Sequence, residues 1–576
     1  MDKENRNLLW LTLFCMVTLF LFLGDVFFNT RGEPREAIVA YSMLEHGNWI
    51  LPVNNGDEIA FKPPFFHWCV AAVSALFGTV TEYTSRFPSA FFAALMVIAG
   101  YSFFARRRNS EVALLMALVT LTTFEVHRAT YACRVDMVLA ALTVLALYAL
   151  YRWTERDMRG IPWLAILLMA GAALTKGPVG ALLPCGVTGA YLLLRGKNFF
   201  SLLWRFSLIF IAALLPLFLW YALAYTQPHG GDRFLQLIYE ENILRFTGQM
   251  SYAAHENPWH YNLMTLVAGF VPYTLLAVIA LPFCKTPLQH IFSQTALRTT
   301  CSLRTYKEMN GLQLFSLLSI VVILVFYTIP SCKRSVYLLP VYPFMAYFFA
   351  EWMLWLRQHH ARALRIFGHI LASLSVVLVV LFLIIRMGIL PEQLFTGKHA
   401  MENNLFLEAL RLRPLAFYHW LIVILPLGAT AWFWSRKAQR DASKLPLQLA
   451  LLIASIFLSL DAVYQPAVLN AKSDKDIALR IAEIAPKGTL YSYRPEWLDA
   501  NRMHPFTINF YLGDRVIPMD KAEVLPEQGY VIVSGDVIGK FEEVYPQYVT
   551  HFVFRSEKRS CDDRTPVYFY QFERKR

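Results

Sequence analysis

The residues of this chain that could do chemistry are cations and two carboxylates placed where apolar segments end. Lys62 stands before Pro63-Pro64, Arg35 two residues after Glu33, and Asp136 two residues after Arg134. Lys176 lies in Leu174-Thr175-Lys176-Gly177, Arg245 follows Glu240-Glu241-Asn242-Ile243-Leu244, and Lys333-Arg334 follow Pro330-Ser331-Cys332. Lysines and arginines gathered at a membrane interface can hold a phosphate or pyrophosphate through charge-assisted hydrogen bonds. A lipid-linked phosphate fits such a place, because its tail can stay in the bilayer. Carboxylates beside it add group transfer: one takes the proton of an acceptor hydroxyl while the cations stabilise the departing phosphate. Glu33 and Asp136 are the candidate acids, and Arg35, Lys62, Lys176, Arg245 and Lys333 the candidate phosphate ligands. The plainer alternative pairs Glu33 with Arg35 and Asp136 with Arg134, or lets the cations snorkel. His255, Glu256 and His260 lack the i,i+4 histidine spacing of a helical zinc site, so no metal ligand is assigned, although a divalent metal stays open. No other cofactor is assigned, and no glycine-rich loop stands between a strand and a helix, so a nucleotide site is not expected.

The elements that position these residues are transmembrane helices. Of 576 residues, 56% are hydrophobic and 16% charged, with mean hydropathy +0.42. That is too apolar for a soluble domain. Segments such as 8–28, 206–224, 311–329 and 370–390 approach the roughly 20 apolar residues that cross a bilayer. The sequence predicts a polytopic α-helical membrane protein. Basic residues crowd alternate connections: 106–108, 152–159, 195–197, 285–307, 357–365 and 436–444. Positive residues mark cytoplasmic loops, and pairs of spans fit between these clusters if 65–78 is interfacial or re-entrant. About 13 spans follow, with the N-terminus inside and the C-terminus outside. The net charge of +12 then orients the chain against anionic membrane lipids, and nucleic acid is not an expected partner.

Two outward loops are long, 29–86 and 225–260, and Glu33–His46 has an amphipathic pattern ending at Gly47, which suits a helix lying on the membrane surface. After about residue 465 polar residues return. A helix over Ile477–Ile484 and strands at 489–493, 529–533 and 567–572 predict a small external α/β domain over 465–576, after a transmembrane domain over 1–464. The eight cysteines show no metal-type spacing. Cys15, Cys69 and Cys185 sit in apolar segments, and Cys561 has no evident disulfide partner.

At these residues the chain resembles the GT-C glycosyltransferases that use polyprenyl-phosphate sugars, in the branch of bacterial lipid A aminoarabinose transferases and protein O-mannosyltransferase-like proteins. The resemblance is carried by Gly32-Glu33-Pro34-Arg35-Glu36-Ala37, by 42–49, by Phe61-Lys62-Pro63-Pro64 and by Arg86-Phe87-Pro88-Ser89-Ala90. It continues through Arg134-Val135-Asp136, Leu174-Thr175-Lys176-Gly177, Glu241-Asn242-Ile243-Leu244-Arg245-Phe246 and Lys333-Arg334-Ser335-Val336-Tyr337-Leu338-Leu339-Pro340. It covers most of 8–350 and, loosely, the whole layout. It implies a GT-C fold in a bacterial inner membrane and an active site on the periplasmic side. It also implies a polyprenyl-phosphate-linked sugar donor and a lipid (lipid A), glycan or protein acceptor, with Lys62 and Arg245 on the donor phosphate. The family's first-loop motif usually reads Asp-Glu-x-Arg. Gly32 stands at its aspartate and Phe61 at the glutamate before the Lys-Pro pair, so either Glu33 or Asp136 takes the acid role or the activity is altered. The rival from another class is a lipid-linked sugar transporter or flippase. It predicts paired interrupted helices with ionisable residues at mid-bilayer, whereas the ionisable residues of this chain fall at span ends.

Overall fold

The computed structural model describes residues 3–244, 247, 249, 256–284, 309–391, 393–436, 439, 441–494, 504–522, 524 and 526–575. Helix α1 (Lys3–Phe20) is followed by α2 (Gly32–His46), a hairpin of β1 (Val53–Asn54) and β2 (Glu58–Ile59), and the short helix α3 (Phe65–Phe77). Then come α4 (Glu82–Ala105), α5 (Ser110–Leu121), α6 (Phe124–Thr130), α7 (Val135–Glu155), α8 (Trp163–Lys176), α9 (Val179–Leu194), α10 (Phe199–Tyr225) and α11 (Gly231–Tyr239). Further long helices cover Gly311–Thr328, Tyr342–His359, Ala361–Arg386, Phe417–Trp434 and Ala442–Lys472.

Among the described residues seven helices are long and apolar enough to cross a membrane, or nine if each of two bent pairs makes one span. The expected count of about 13 is reached only if α1, α8, α9 and Tyr342–His359 cross as well. Burial separates the roles of the long helices. The apolar window of α7 is 89% buried and that of α10 only 33%. Helix α7 is therefore wrapped by protein, against α4, α8 and α9, whereas most of α10 offers its leucines and phenylalanines outward, as a lipid-facing helix does.

The direction of α7 sets the two ends of the bundle. It starts beside Arg134 and runs about 30 Å at 1.5 Å per residue to Glu155, which pairs with Arg107 at the end of α4. Arg108–Glu351, Arg357–Glu111 and Lys197–Asp157 pairs join further helix ends there. Tyr101 Oη donates to Glu4 O, which brings the N-terminus to the same end. Helix α8 runs back, so Lys176 returns to the start of α7 and pairs with Asp136. Gly177 ends α8 at φ +87°, ψ −166°, a conformation open to glycine.

Helix α2 does end at Gly47, whose N–H reaches Met43 O in a left-handed cap. It does not lie on the surface. It is covered on one side by α3 and on another by a short helix of the C-terminal domain, Phe506–Tyr511, and ten of its residues from Gly32 to Met43 are buried. The amphipathic pattern reflects this double cover.

The C-terminal domain begins later than residue 465, because the last span continues as one helix to Lys472. Ser473 Oγ donates to Phe28 O and closes the junction. Five strands follow: β3 (Leu490–Tyr493), β4 (Val516–Pro518), β5 (Gln528–Ser534), β6 (Tyr548–Arg559) and β7 (Pro566–Arg574), ordered β4-β3-β5-β7-β6. β3 pairs parallel with β4 and β5, and β5-β7-β6 are antiparallel. Alternation along β5 fills both faces. Ile532 packs with Ile477 and Ile481 of the helix Lys475–Ile484, while Val531 and Val533 pack with Phe541 on the other side. The domain docks on the first loop. Asn55 N–H donates to Asp514 (2.9 Å), Asn509 Nδ2 to Asn55 Oδ1 (2.8 Å) and Tyr511 Oη to Glu82 (2.7 Å). Gly56, at φ +83°, brings the hairpin tip so close to β4 that a Cβ there would stand 2.8 Å from Pro518 Cδ.

Candidate active site

At the end of the bundle opposite the Arg107–Glu155 pair, the first loop, the start of α7, the end of α8, α11, the 330–337 segment and the C-terminal domain line a cavity of about 1870 Å³. Arg35, Lys62, Asp136 and Lys176 line it, as do Arg134 and Arg334.

The expected ion pairs form with other partners. Lys62 pairs with Glu36, whose second oxygen takes His67 Nε2 at 2.9 Å. Burial raises the Glu36 carboxyl, but Lys62 and His67 outweigh it and hold that carboxyl well below the usual carboxylate range. Arg35 donates through Nε to Glu58 at 2.8 Å and lies 5.4 Å from the Phe506 ring centre. Asp136 pairs with Lys176, whose ammonium also sits 4.2 Å from the Tyr337 ring centre. Asp57 ties the hairpin to Arg233 of α11 (3.0 Å) and to Lys521 of the C-terminal domain (3.6 Å).

Two candidates stand elsewhere. Glu33 does not line the cavity. Its carboxylate takes both Arg86 Nε (2.8 Å) and Nη2 (3.1 Å), and accepts the Cys133 N–H (2.9 Å). Arg86 is buried, donates also to Leu23 O and Val26 O, and lies over Phe28. A carboxylate so bound anchors the start of α2 to α4. Lys333 is also buried and away from the cavity; its ammonium donates to Asn257 O (3.0 Å) and Pro330 O (2.6 Å). It fastens the 330–333 segment to residue 257, and its neighbour Arg334 faces the cavity. Arg245 and His255 lie outside the described residues.

At Gly32, where the first-loop motif lacks its aspartate, the neighbouring space is taken by Arg134. A Cβ on Gly32 would stand 1.5 Å from Arg134 Nη2 and 2.2 Å from Cζ. The Arg134 guanidinium thus occupies the space an acid at 32 would need. Among the described residues neither Arg134 nor Arg334 has a hydrogen-bond or ion-pair partner for its guanidinium, although Arg134 acts on Glu33 through space. Both arginines carried a signal in the sequence, as cations at the end of the bundle where cations are scarce. Glu36 carried only its place in the first-loop motif. A possible three-ligand metal group among the described residues, Asp474, Cys561 and Asp562, does not line the cavity.

The fold is that of a GT-C-type membrane protein. Over 98% of both chains it superposes, at 18% identity and TM-score 0.69, on the crystal structure of ArnT from Cupriavidus metallidurans bound to undecaprenyl phosphate, which shows the fold. Residues 61–220 match the family described as dolichyl-phosphate-mannose-protein mannosyltransferase. An uncharacterized protein of Aquifex aeolicus is 30% identical over 58% of this chain, and the match spans 62% of that relative's own length. The undecaprenyl phosphate-alpha-4-amino-4-deoxy-L-arabinose arabinosyl transferase of Shewanella sediminis is 26% identical over 68% of each chain. The chain is thus similar to proteins of the aminoarabinose-transferase and mannosyltransferase-like kind that its motifs resemble.

Proposed function

We propose that the protein is a glycosyltransferase of a bacterial inner membrane that moves a sugar from a polyprenyl-phosphate carrier to an acceptor on the periplasmic side. The observation that carries this reading is one cavity at a bundle end, lined by Lys62, Lys176, Arg134 and Arg334, with Asp136 among them. Cations held ready at that depth stabilise the charge that develops on a departing lipid phosphate. The bond from the sugar's anomeric carbon to the phosphate oxygen breaks. The acceptor oxygen bonds to that carbon and gives its proton to Asp136. The Lys176–Asp136 pair makes the two events cooperative: as the ammonium turns towards phosphate, the carboxylate is released to act as base. Glu36 keeps His67 when Lys62 does the same. The relatives with named activity carry an aminoarabinose name, and we extend the pentosyl class to this chain; Glu58, Glu240 and Glu241 in the cavity wall suit a sugar bearing an amine. In this arrangement about 13 helices cross, with the N-terminus cytoplasmic and the C-terminal domain periplasmic.

The test is transfer by the purified protein. Undecaprenyl phosphate carrying labelled 4-amino-4-deoxy-L-arabinose is incubated with an extract of envelope lipids, glycans and proteins. A labelled acceptor with stoichiometric release of undecaprenyl phosphate is expected. Movement of intact donor across a proteoliposome membrane without cleavage would establish the transporter instead.

A further inference from the structure

The end of the bundle opposite the cavity holds its cations in two ways. Arg107, Arg108 and Arg357 are each matched by a carboxylate from another helix end. The connections α7–α8 and α9–α10 are not balanced so. They carry Arg156, Arg159, Arg195 and Lys197, and Arg205 follows in α10, against Glu155, already taken by Arg107, and Asp157. Backbone shape gathers these charges. Asp157 and Met158 have positive φ (51° and 57°), and so does Gly196 (82°), so each connection turns within a few residues. Lys197 Nζ donates to Asp157 Oδ1 at 2.8 Å, and Arg205 Nη1 donates to Met158 O at 3.4 Å. These bonds tie the α9–α10 turn and the first turns of α10 to the α7–α8 turn. The Lys197 hydrogen bond, with the charges of Lys197, Arg159 and Arg205, holds the Asp157 carboxyl below its ordinary value. Three cations thus face one exposed carboxylate, and positive charge is left over. Beside them the starts of α8 and α10 are apolar and exposed. Trp163 and Trp204 stand outward there, as tryptophans do between headgroups and hydrocarbon. Further along, Leu164 and Leu167 of α8 and Leu203 and Leu208 of α10 are exposed too, and the two helices pack side by side.

We propose that Arg159, Lys197 and Arg205 form a headgroup site for an anionic phospholipid of the leaflet at this end. The lipid phosphate sits among the three cations and displaces the Asp157 carboxylate from Lys197, and the acyl chains lie along α8 and α10. Guanidinium groups hold phosphate oxygens through paired N–H donors, and a lysine adds a point charge. The ligand is a lipid and not a soluble phosphate, because the cations stand beside tryptophans and leucines that acyl chains cover. Basic residues in general favour this side of a membrane protein. A site differs from that general excess in depending on particular cations, and on an acid that competes with the ligand for one of them. It lies at the far end of α8 from Lys176 and does not depend on the glycosyltransferase reading.

The experiment measures binding of single phospholipids to the full-length protein in detergent by native mass spectrometry. Phosphatidylglycerol is the anionic probe and phosphatidylcholine the zwitterionic reference. The parent is expected to bind phosphatidylglycerol about tenfold or more tightly than phosphatidylcholine, the scale of two unmatched cations beside an anionic headgroup. Arg159→Gln/Arg205→Gln is expected to cut that preference to about threefold or less, because the remaining Lys197 is matched by Asp157. Asp157→Asn removes the competing carboxylate and is expected to bind phosphatidylglycerol at least as tightly as the parent. Arg362→Gln/Lys444→Gln removes the same charge from exposed positions at the same end and is expected to keep the parent's preference. All these side chains are exposed, so the fold is spared. The proposal is overturned if the parent shows no preference for phosphatidylglycerol, or if Arg159→Gln/Arg205→Gln keeps the full preference. It is also overturned if Arg362→Gln/Lys444→Gln loses as much, since any cation at this end would then serve, or if Asp157→Asn binds phosphatidylglycerol more weakly than the parent.

Discussion

A guanidinium above a glycine, without a hydrogen-bond or ion-pair partner among the described residues, is the point of this site most sensitive to mutation. Aspartate at Gly32 would set a carboxylate against Arg134 and cancel a cation that otherwise faces the cavity. Gly32→Asp is expected to weaken undecaprenyl phosphate binding about tenfold, the scale of one charged hydrogen bond; unchanged or tighter binding would show that Arg134 does not serve phosphate. Asp136 and Glu33 should separate kinetically. Asp136→Asn is expected to cut turnover roughly 10²–10⁴-fold with donor binding kept, as removal of a positioned base does. Glu33→Gln disturbs a buried ion pair, and breaking such a pair costs about 3–5 kcal/mol, so its main effect should be a lower melting temperature. A catalytic loss without thermal destabilisation would return Glu33 to the chemistry. The sequence made Lys62, Lys176, Arg35 and Asp136 legible because charges at the cation-poor ends of apolar segments need a reason. It pointed to Glu33 rather than Glu36, one turn apart on α2, and to Lys333 rather than the adjacent Arg334, and only Glu36 and Arg334 line the cavity. In each pair the partner that decides, Arg86 or the carbonyls of Asn257 and Pro330, is remote in the chain or hidden in a turn. His504 and Arg494, which also line the cavity, gave no sign, since their place there depends on a domain folding back over residues more than 400 positions earlier.

The elements around the junction carry their own titration. Burial raises Asp474 to about 6, and burial with its neighbour Asp474 raises Asp562 to about 7. Asp474, at the start of the helix Lys475–Ile484, holds the β6–β7 turn through Ser560 and Cys561, and Asp562 in that turn holds Thr507 of the helix Phe506–Tyr511. Their folded values lie above the unfolded 3.8, so between about pH 4 and 7 the folded protein binds more protons, and stability falls as pH rises. The C-terminal domain of the full chain should melt higher at pH 5.5 than at pH 8, and Asp562→Asn should flatten that difference. An unfolding temperature that climbs from pH 5.5 to 8 and is insensitive to this substitution would contradict the assignment. The helix Lys475–Ile484 and strands β3, β5 and β7 of this domain were legible from composition and alternation, with ends shifted by a few residues, whereas β4 and the longest strand, β6, were not. The domain's start was not, because the last span passes through a π-helical stretch at Leu460–Tyr464 and runs on as helix to Lys472. Nor was the covering of α2: amphipathicity shows one apolar stripe but not that its other side meets the helix Phe506–Tyr511.

At the scale of the molecule, α7 fixes two faces, one with the N-terminus and the Arg107–Glu155 pair, the other with the cavity and the C-terminal domain. Reporter fusions after Arg576 should be active only as a periplasmic enzyme, and fusions at the N-terminus only as a cytoplasmic one; the same compartment for both would break the odd number of crossings. The chain's basic clusters made this layout readable, while the bent helix pairs and short spans blurred their count. The most direct measurement of the central claim is equilibrium binding of undecaprenyl phosphate to the purified protein and to the double variant Lys62→Gln/Arg134→Gln. The parent is expected to bind, more weakly as salt is raised, and the double variant to lose about 100-fold or more from two charge-assisted contacts. Equal binding by parent and double variant, with no dependence on salt, would contradict a phosphate held by this cavity.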